Sequence, residues 1–143
     1  MTLEVLLRYR TRRPWVPGPT TLRGWARLAA GAKDGELGIR MVGSAESRAL
    51  NRQYRGKCSP TNVLAFPMPA CAGHRMIGDI VVCAPLVARE AREQGKTLRA
   101  HWAHMVIHGT LHLLGFDHER AADAQRMERR ERQLLARLGF ADP

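Results

Sequence analysis

Apolar and polar positions alternate from Leu3 to Tyr9, with Leu3, Val5, Leu7 and Tyr9 facing one way and Glu4, Leu6, Arg8 and Arg10 the other, the period of a first strand. A basic turn follows, and Thr20 or Thr21 is placed to cap a helix reaching about residue 32, with Leu22, Trp25, Leu28 and Ala29 inward. A second strand is expected over 36–42, and Ser44 is a candidate cap for a helix to about residue 54. Residues 63–67 form a short apolar run stopped by a proline. Residues 76–83 are β-branched and apolar, as suits the middle of a sheet. Pro85 opens a helix to about residue 94, and Gly95 breaks it before 97–114, where Leu98, Trp102, Met105, Val106, Leu111 and Leu114 recur at helical spacing. A last helix over about 119–138 turns Met127, Leu134, Leu135 and Leu138 inward and stops at Gly139. The order β-α-β-α-β-β-α-α-α places the chain in the α+β class: a small mixed sheet of about four strands packed with about five helices, in one domain over 1–143.

A length of 143 residues fits this reading, being enough to bury a core and too little for two domains. No apolar run approaches the ~20 residues of a membrane span, and the N-terminus lacks the apolar core of a signal peptide, so a cytoplasmic protein with no membrane partner is expected. Cys58, Cys71 and Cys83 agree: odd in number and scattered, they suit reduced structural thiols rather than a disulfide framework.

Charge adds more. A net +10, nearly all from arginine, raises the local concentration of polyanions and points to nucleic acid, although a merely solvated basic surface has the same composition. Arg8, Arg10 and Arg12 suit a charged sheet edge better than a phosphate track. In the last helix Arg120, Arg126, Arg129, Arg130, Arg132 and Arg137 interleave with Glu119, Asp123, Glu128 and Glu131, the pattern of a solvated, ion-paired face. The basic track is therefore expected near the 51–57 loop, which carries Arg55 and Lys57.

The chemistry concentrates in 104–118. On a helix His104, His108 and His112 share one stripe, and neighbours four apart can converge on one ion. All three cannot, because His104 and His112 stand ~12 Å apart along the axis while two nitrogens on a tetrahedral zinc are only about 3.4 Å apart. Gly115 can end the helix in a left-handed turn that brings His118 back over the pair, giving His-x-x-x-His-x-x-Gly-x-x-His from His108 to His118. That spacing is the metzincin zinc pattern without its glutamate, whose place Gly109 takes. The metal geometry is kept while a peptidase's proton acceptor is lost, and three protein ligands leave a fourth position for water. His101 and His104 are then packing or supporting residues, with the pair His104/His108 as the alternative metal assignment.

Three stretches resemble the YbeY family of bacterial rRNA-maturation endoribonucleases. Residues 108–118 carry its His-Gly-x-Leu-His-Leu-x-Gly-[Tyr/Phe]-Asp-His motif, residues 51–67 resemble its Arg-x-x-x-x-x-Thr-Asp-Val-Leu-Ser-Phe-Pro segment, and Gly78-Asp79-Ile80 follows at the expected distance. Asn62 and Ala65 depart from that pattern, standing where aspartate and serine are usual. The resemblance implies a zinc-dependent, single-strand-specific endoribonuclease acting on the 3′ end of small-subunit rRNA and in ribosome quality control, with the ribosomal small subunit or assembly factors as partners. It implies His108, His112 and His118 as ligands of one zinc ion, His108 and Arg55 as catalytic, and Arg55 with Lys57 as contacts to RNA. Asp117 and Asp79 are candidates for carboxylates set behind the ligands, although Asp79 also suits a purely structural role. The general base is left open among zinc-bound hydroxide, Asp117 and the RNA's own 2′-hydroxyl.

Two other classes compete. One is a metallohydrolase of another substrate, disfavoured for peptides by the missing glutamate and for uncharged substrates by the basic surface. The other is a ribosome-assembly factor that binds RNA or protein and uses its metal to hold the fold.

Overall fold

The computed structural model describes residues 3–56, 61–68, 75–116 and 120–140, apart from the Arg55 side chain. Four strands form one sheet in the order β1-β2-β4-β3, from β1 (Leu3–Tyr9), β2 (Gly35–Val42), β3 (Val63–Pro67) and β4 (Met76–Cys83). The β1–β2 and β2–β4 pairs are parallel and the β4–β3 pair antiparallel, so the sheet is mixed, as its α+β order requires. Five helices accompany it: α1 (Pro19–Ala30), α2 (Ser44–Arg55), α3 (Ala84–Gln94), α4 (Leu98–Leu113) and α5 (Ala121–Arg137).

Period-two alternation decides which side of the sheet each residue meets. Leu3, Val5, Leu37, Ile39, Met41, Ile80 and Val82 point to the face covered by α1 and α4 and join the main core. Their neighbours Val42, Leu64, Val81 and Cys83 point the other way, into a smaller cluster with Leu50 of α2. The strands therefore read apolar throughout where both faces are covered, which is why 76–83 lacks alternation.

The hub is α4. It packs against α1, α3, α5, β3 and β4, and Trp102, Ala103, Val106, Ile107 and Leu111 are all buried. Each large side chain so buried stabilises the fold by about 1.5–3 kcal/mol relative to exposure, so this helix is held firmly in place. Gly109 lets it lie close to the sheet: a Cβ there would stand 2.8 Å from Cγ2 of Ile80. On the same face α1 fixes β1, as Arg23 and Arg27 donate through Nε to the carbonyls of Val5 and Leu3.

Both ends of α4 are built from local chemistry. Thr97 accepts a hydrogen bond from the Ala100 amide at 3.1 Å and starts the helix. At the other end Gly115 has φ of 103°, the Phe116 amide donates back to Leu111 and the Gly115 amide to His112, so the chain turns sharply as the glycine predicts.

Candidate metal centre

From His101 to Leu113 every residue of α4 is buried except His104, His108 and His112. Beyond the first turn, the residues of this helix that reach solvent are thus all imidazoles. The helix borders an open cleft of about 490 Å³ lined by His104 and His108 together with Asn62, Lys96, Glu131 and Arg132.

One carboxylate organises this stripe. Glu131 of α5, only 4% exposed, accepts from Nε2 of His104 at 2.9 Å and from Nδ1 of His108 at 2.5 Å. Burial alone would raise its pKa, but the two histidine hydrogen bonds outweigh it and hold the carboxyl at about 2. Ionised at neutral pH, the carboxylate can only accept, so both imidazole nitrogens facing it carry hydrogen. Nδ1 of His104 lies 3.4 Å from the Lys96 ammonium, an acceptor placed toward a donor. Burial lowers the Lys96 pKa, with the charges of Glu131 and Glu90 acting against that.

The expected solvated role of Glu131 is therefore corrected. Met127, Glu131, Leu134 and Leu135 form the inward stripe of α5, and Glu131 is its one charged member. That spacing was visible in the sequence, but the alternation of charges along the helix masked the face on which each charge falls. Asp123 does pair at the surface with Arg126, at 3.5 Å.

A parallel network lies one turn earlier on α4. His101, 2% exposed, donates from Nε2 to Glu90 of α3 at 2.9 Å. The Asn62 amide donates to both oxygens of the same carboxylate, at 3.2 and 3.3 Å, and its Oδ1 accepts from the Val63 amide at 2.7 Å. Asn62 thus caps the start of β3 and ties it to α3. An aspartate could repeat the cap but would set a second carboxylate against Glu90.

Other sequence-derived candidates fall differently. His118, Asp117 and Lys57 lie outside the described residues, as do Cys58 and Cys71; Cys83 is a buried free thiol. Arg55 is the last residue of α2, immediately before the left-handed Gly56. Asp79 is corrected as a supporting carboxylate for the histidines. Its neighbour Ile80 points at α4, whereas Asp79 is exposed on the opposite face, against Gly38 of β2.

His104, His108 and Glu131 bring three ligand-type atoms within 4.8 Å of one another, a group with the composition to hold a cation. Their contacts are those of hydrogen bonds: one carboxylate oxygen meets each ring at 2.5 and 2.9 Å, shorter than the about 3.4 Å separating two ligand atoms of a tetrahedral zinc. The i, i+4 spacing of the same stripe also sets His108 and His112 as neighbours on α4, and Gly115 turns the chain just beyond them.

A family model described as Endoribonuclease YbeY matches residues 21–139. A protein of that name from Halorhodospira halophila is 58% identical to this chain, the match covering 89% of this chain and 87% of the relative. Another from Stenotrophomonas maltophilia is 47% identical over 99% of this chain and 92% of its own. The solution structure of a Thermotoga maritima protein has a TM-score of 0.60 to this one at 24% identity over 97% of both chains, a likeness of fold.

Proposed function

The chain belongs to the YbeY family of endoribonucleases, and from that membership we propose that it is a zinc-dependent hydrolase cutting single-stranded RNA internally, with one ion held by His108, His112 and His118. The observation that carries the metal reading is the solvent-facing histidine stripe on a helix otherwise buried from His101 to Leu113. When bound, the ion supplies an acidified water and a Lewis acid toward a phosphoryl oxygen.

The chain's own residues divide the remaining work. Glu131 fixes the ring of His108 through Nδ1, so ligation falls to Nε2. Arg55, at the end of α2, is assigned to the scissile phosphate, where a guanidinium offsets developing charge, and Lys57 to the RNA backbone beyond it. Gly109 bars the zincin route, since its position faces Ile80 rather than the cleft.

The substrate is proposed to be the 3′ end of small-subunit rRNA, with ribosome quality control as the wider task and the small subunit or its assembly factors as partners. A cytoplasmic location follows from that substrate. In support, the net charge is +10, and no helix among the described residues is long and apolar enough to cross a membrane.

The test is cleavage of matched single- and double-stranded RNA by the purified protein and by His112→Ala, each with and without a chelator. Cutting of the single strand that disappears in the variant and on chelation is expected. Equal cutting by both proteins would point to a contaminant. Tight RNA binding without cleavage, despite bound zinc, would transfer the assignment to the assembly factor.

A further inference from the structure

We propose that Glu131 is the positioning residue of the metal centre: by accepting from Nδ1 of His108 and Nε2 of His104 with separate oxygens, it sets the ring of His108 so that Nε2 is presented to the ion. This rests on the reading that His108, His112 and His118 hold the zinc.

The geometry separates this role from ordinary packing. Glu131 sits on α5 and both histidines on α4, so one carboxylate joins the two helices. Its methionine and leucine neighbours Met127, Leu134 and Leu135 on the inward face are buried without such contacts to make. A carboxylate bonded behind an imidazole fixes its tautomer and its rotation about χ2, and strengthens it as a donor to the metal. His104 completes the arrangement from behind. It occupies the second oxygen, and with Lys96 at its own Nδ1 it keeps the carboxylate from rotating away from His108.

The same three residues suggest a rival, in which Glu131 is itself a ligand alongside His104 and His108. The two arrangements make opposite demands on His112 and His104. In the proposed one, losing His112 removes a ligand whereas losing His104 removes only a brace.

The experiment is zinc affinity of the metal-free protein, measured by competition with a chromophoric chelator, for wild type, Glu131→Gln, Glu131→Ala, His104→Ala and His112→Ala. Urea unfolding of each metal-free protein is recorded alongside. Glu131→Gln, which keeps the volume but can accept from only one ring, is expected to weaken zinc binding about 10–100-fold. His112→Ala should lose tight binding altogether, and His104→Ala should lose less than Glu131→Ala. The readout distinguishes positioning from support of the fold, because a purely structural role would shift the unfolding midpoint of the glutamine variant and leave its zinc affinity alone. Wild-type affinity in Glu131→Gln, with His112→Ala inactive in binding, would overturn the positioning role and leave the metal assignment standing. Wild-type affinity in His112→Ala, with loss in His104→Ala and Glu131→Ala, would overturn both in favour of the rival trio.

Discussion

Gly109 shows at the scale of one residue how packing and chemistry constrain each other. An alanine there gains up to about 1 kcal/mol in helix propensity over glycine. Against this, its Cβ would meet three side-chain carbons of Ile80 at 2.8 to 3.3 Å, and Ile80 is fully buried and branched at Cβ, so it has little freedom to yield. Overpacking of this kind costs about 1–3 kcal/mol, so Gly109→Ala is expected to destabilise the metal-free protein by up to about 2 kcal/mol in urea unfolding. An unchanged or higher stability would mean that Ile80 gives way. The sequence exposed Gly109 only as the place where a protease would carry glutamate; that this position abuts a strand needed the sheet opposite it. Glu131 is the reverse case. Its spacing from Met127, Leu134 and Leu135 spelled out an inward charge, and a buried carboxylate on a stripe that faces a histidine helix was there to be inferred. Asp79 was not legible, because in a strand apolar on both faces the alternation leaves undecided which face meets the histidines.

Elements were more legible than their ends. The four strands and five helices occur in the expected order because periodicity sets element type, while capping depends on which residue first leaves the helix. Pro19 begins α1 behind Gly18, which puts Thr20 inside the first turn instead of at the cap, and Gly43 rather than Ser44 precedes α2. Only at α4 does a side chain cap the helix, through Thr97, a position the sequence pattern did not single out. The join between α3 and α4 carries a testable consequence. Burial pushes the His101 imidazole below its ordinary value of 6.5, with the hydrogen bond to Glu90 opposing and the charges of Lys96 and His104 reinforcing the shift. As pH falls the unfolded chain takes up this proton first, so the contribution is present above about pH 6.5 and is lost below it. The urea midpoint of the metal-free protein should therefore fall between about pH 7 and 5, and fall less in His101→Gln, whose amide can still donate to Glu90. Equal slopes in the two proteins would remove His101 from the account.

At the scale of the molecule, charge is the property that sequence measured well and located poorly. Several of the arginines behind the net +10 are already engaged: Arg10 and Arg40 with Glu46, Arg89 with Glu93, Arg126 with Asp123, and Arg23 and Arg27 with carbonyls of β1. Lys96 and Arg132 instead line the cleft beside His108, so among the described residues basic groups stand at the candidate centre on α5 and at the α3–α4 join. The last helix is consequently not only a solvated face. If RNA lies along this cleft, its affinity must fall with salt, by about 0.7 in the slope of log K against log salt for each phosphate neutralised on a single strand. Arg132→Ala should remove about one such contact, lowering the slope by ~0.7 at constant zinc affinity, whereas Arg89→Ala, which breaks an exposed pair outside the cleft, should leave it unchanged. A titration of fluorescent single-stranded RNA across about 50–200 mM salt reads both. Equal slopes for the two variants would mean that the basic surface acts through its overall field and that the cleft does not carry the RNA chain past Arg132.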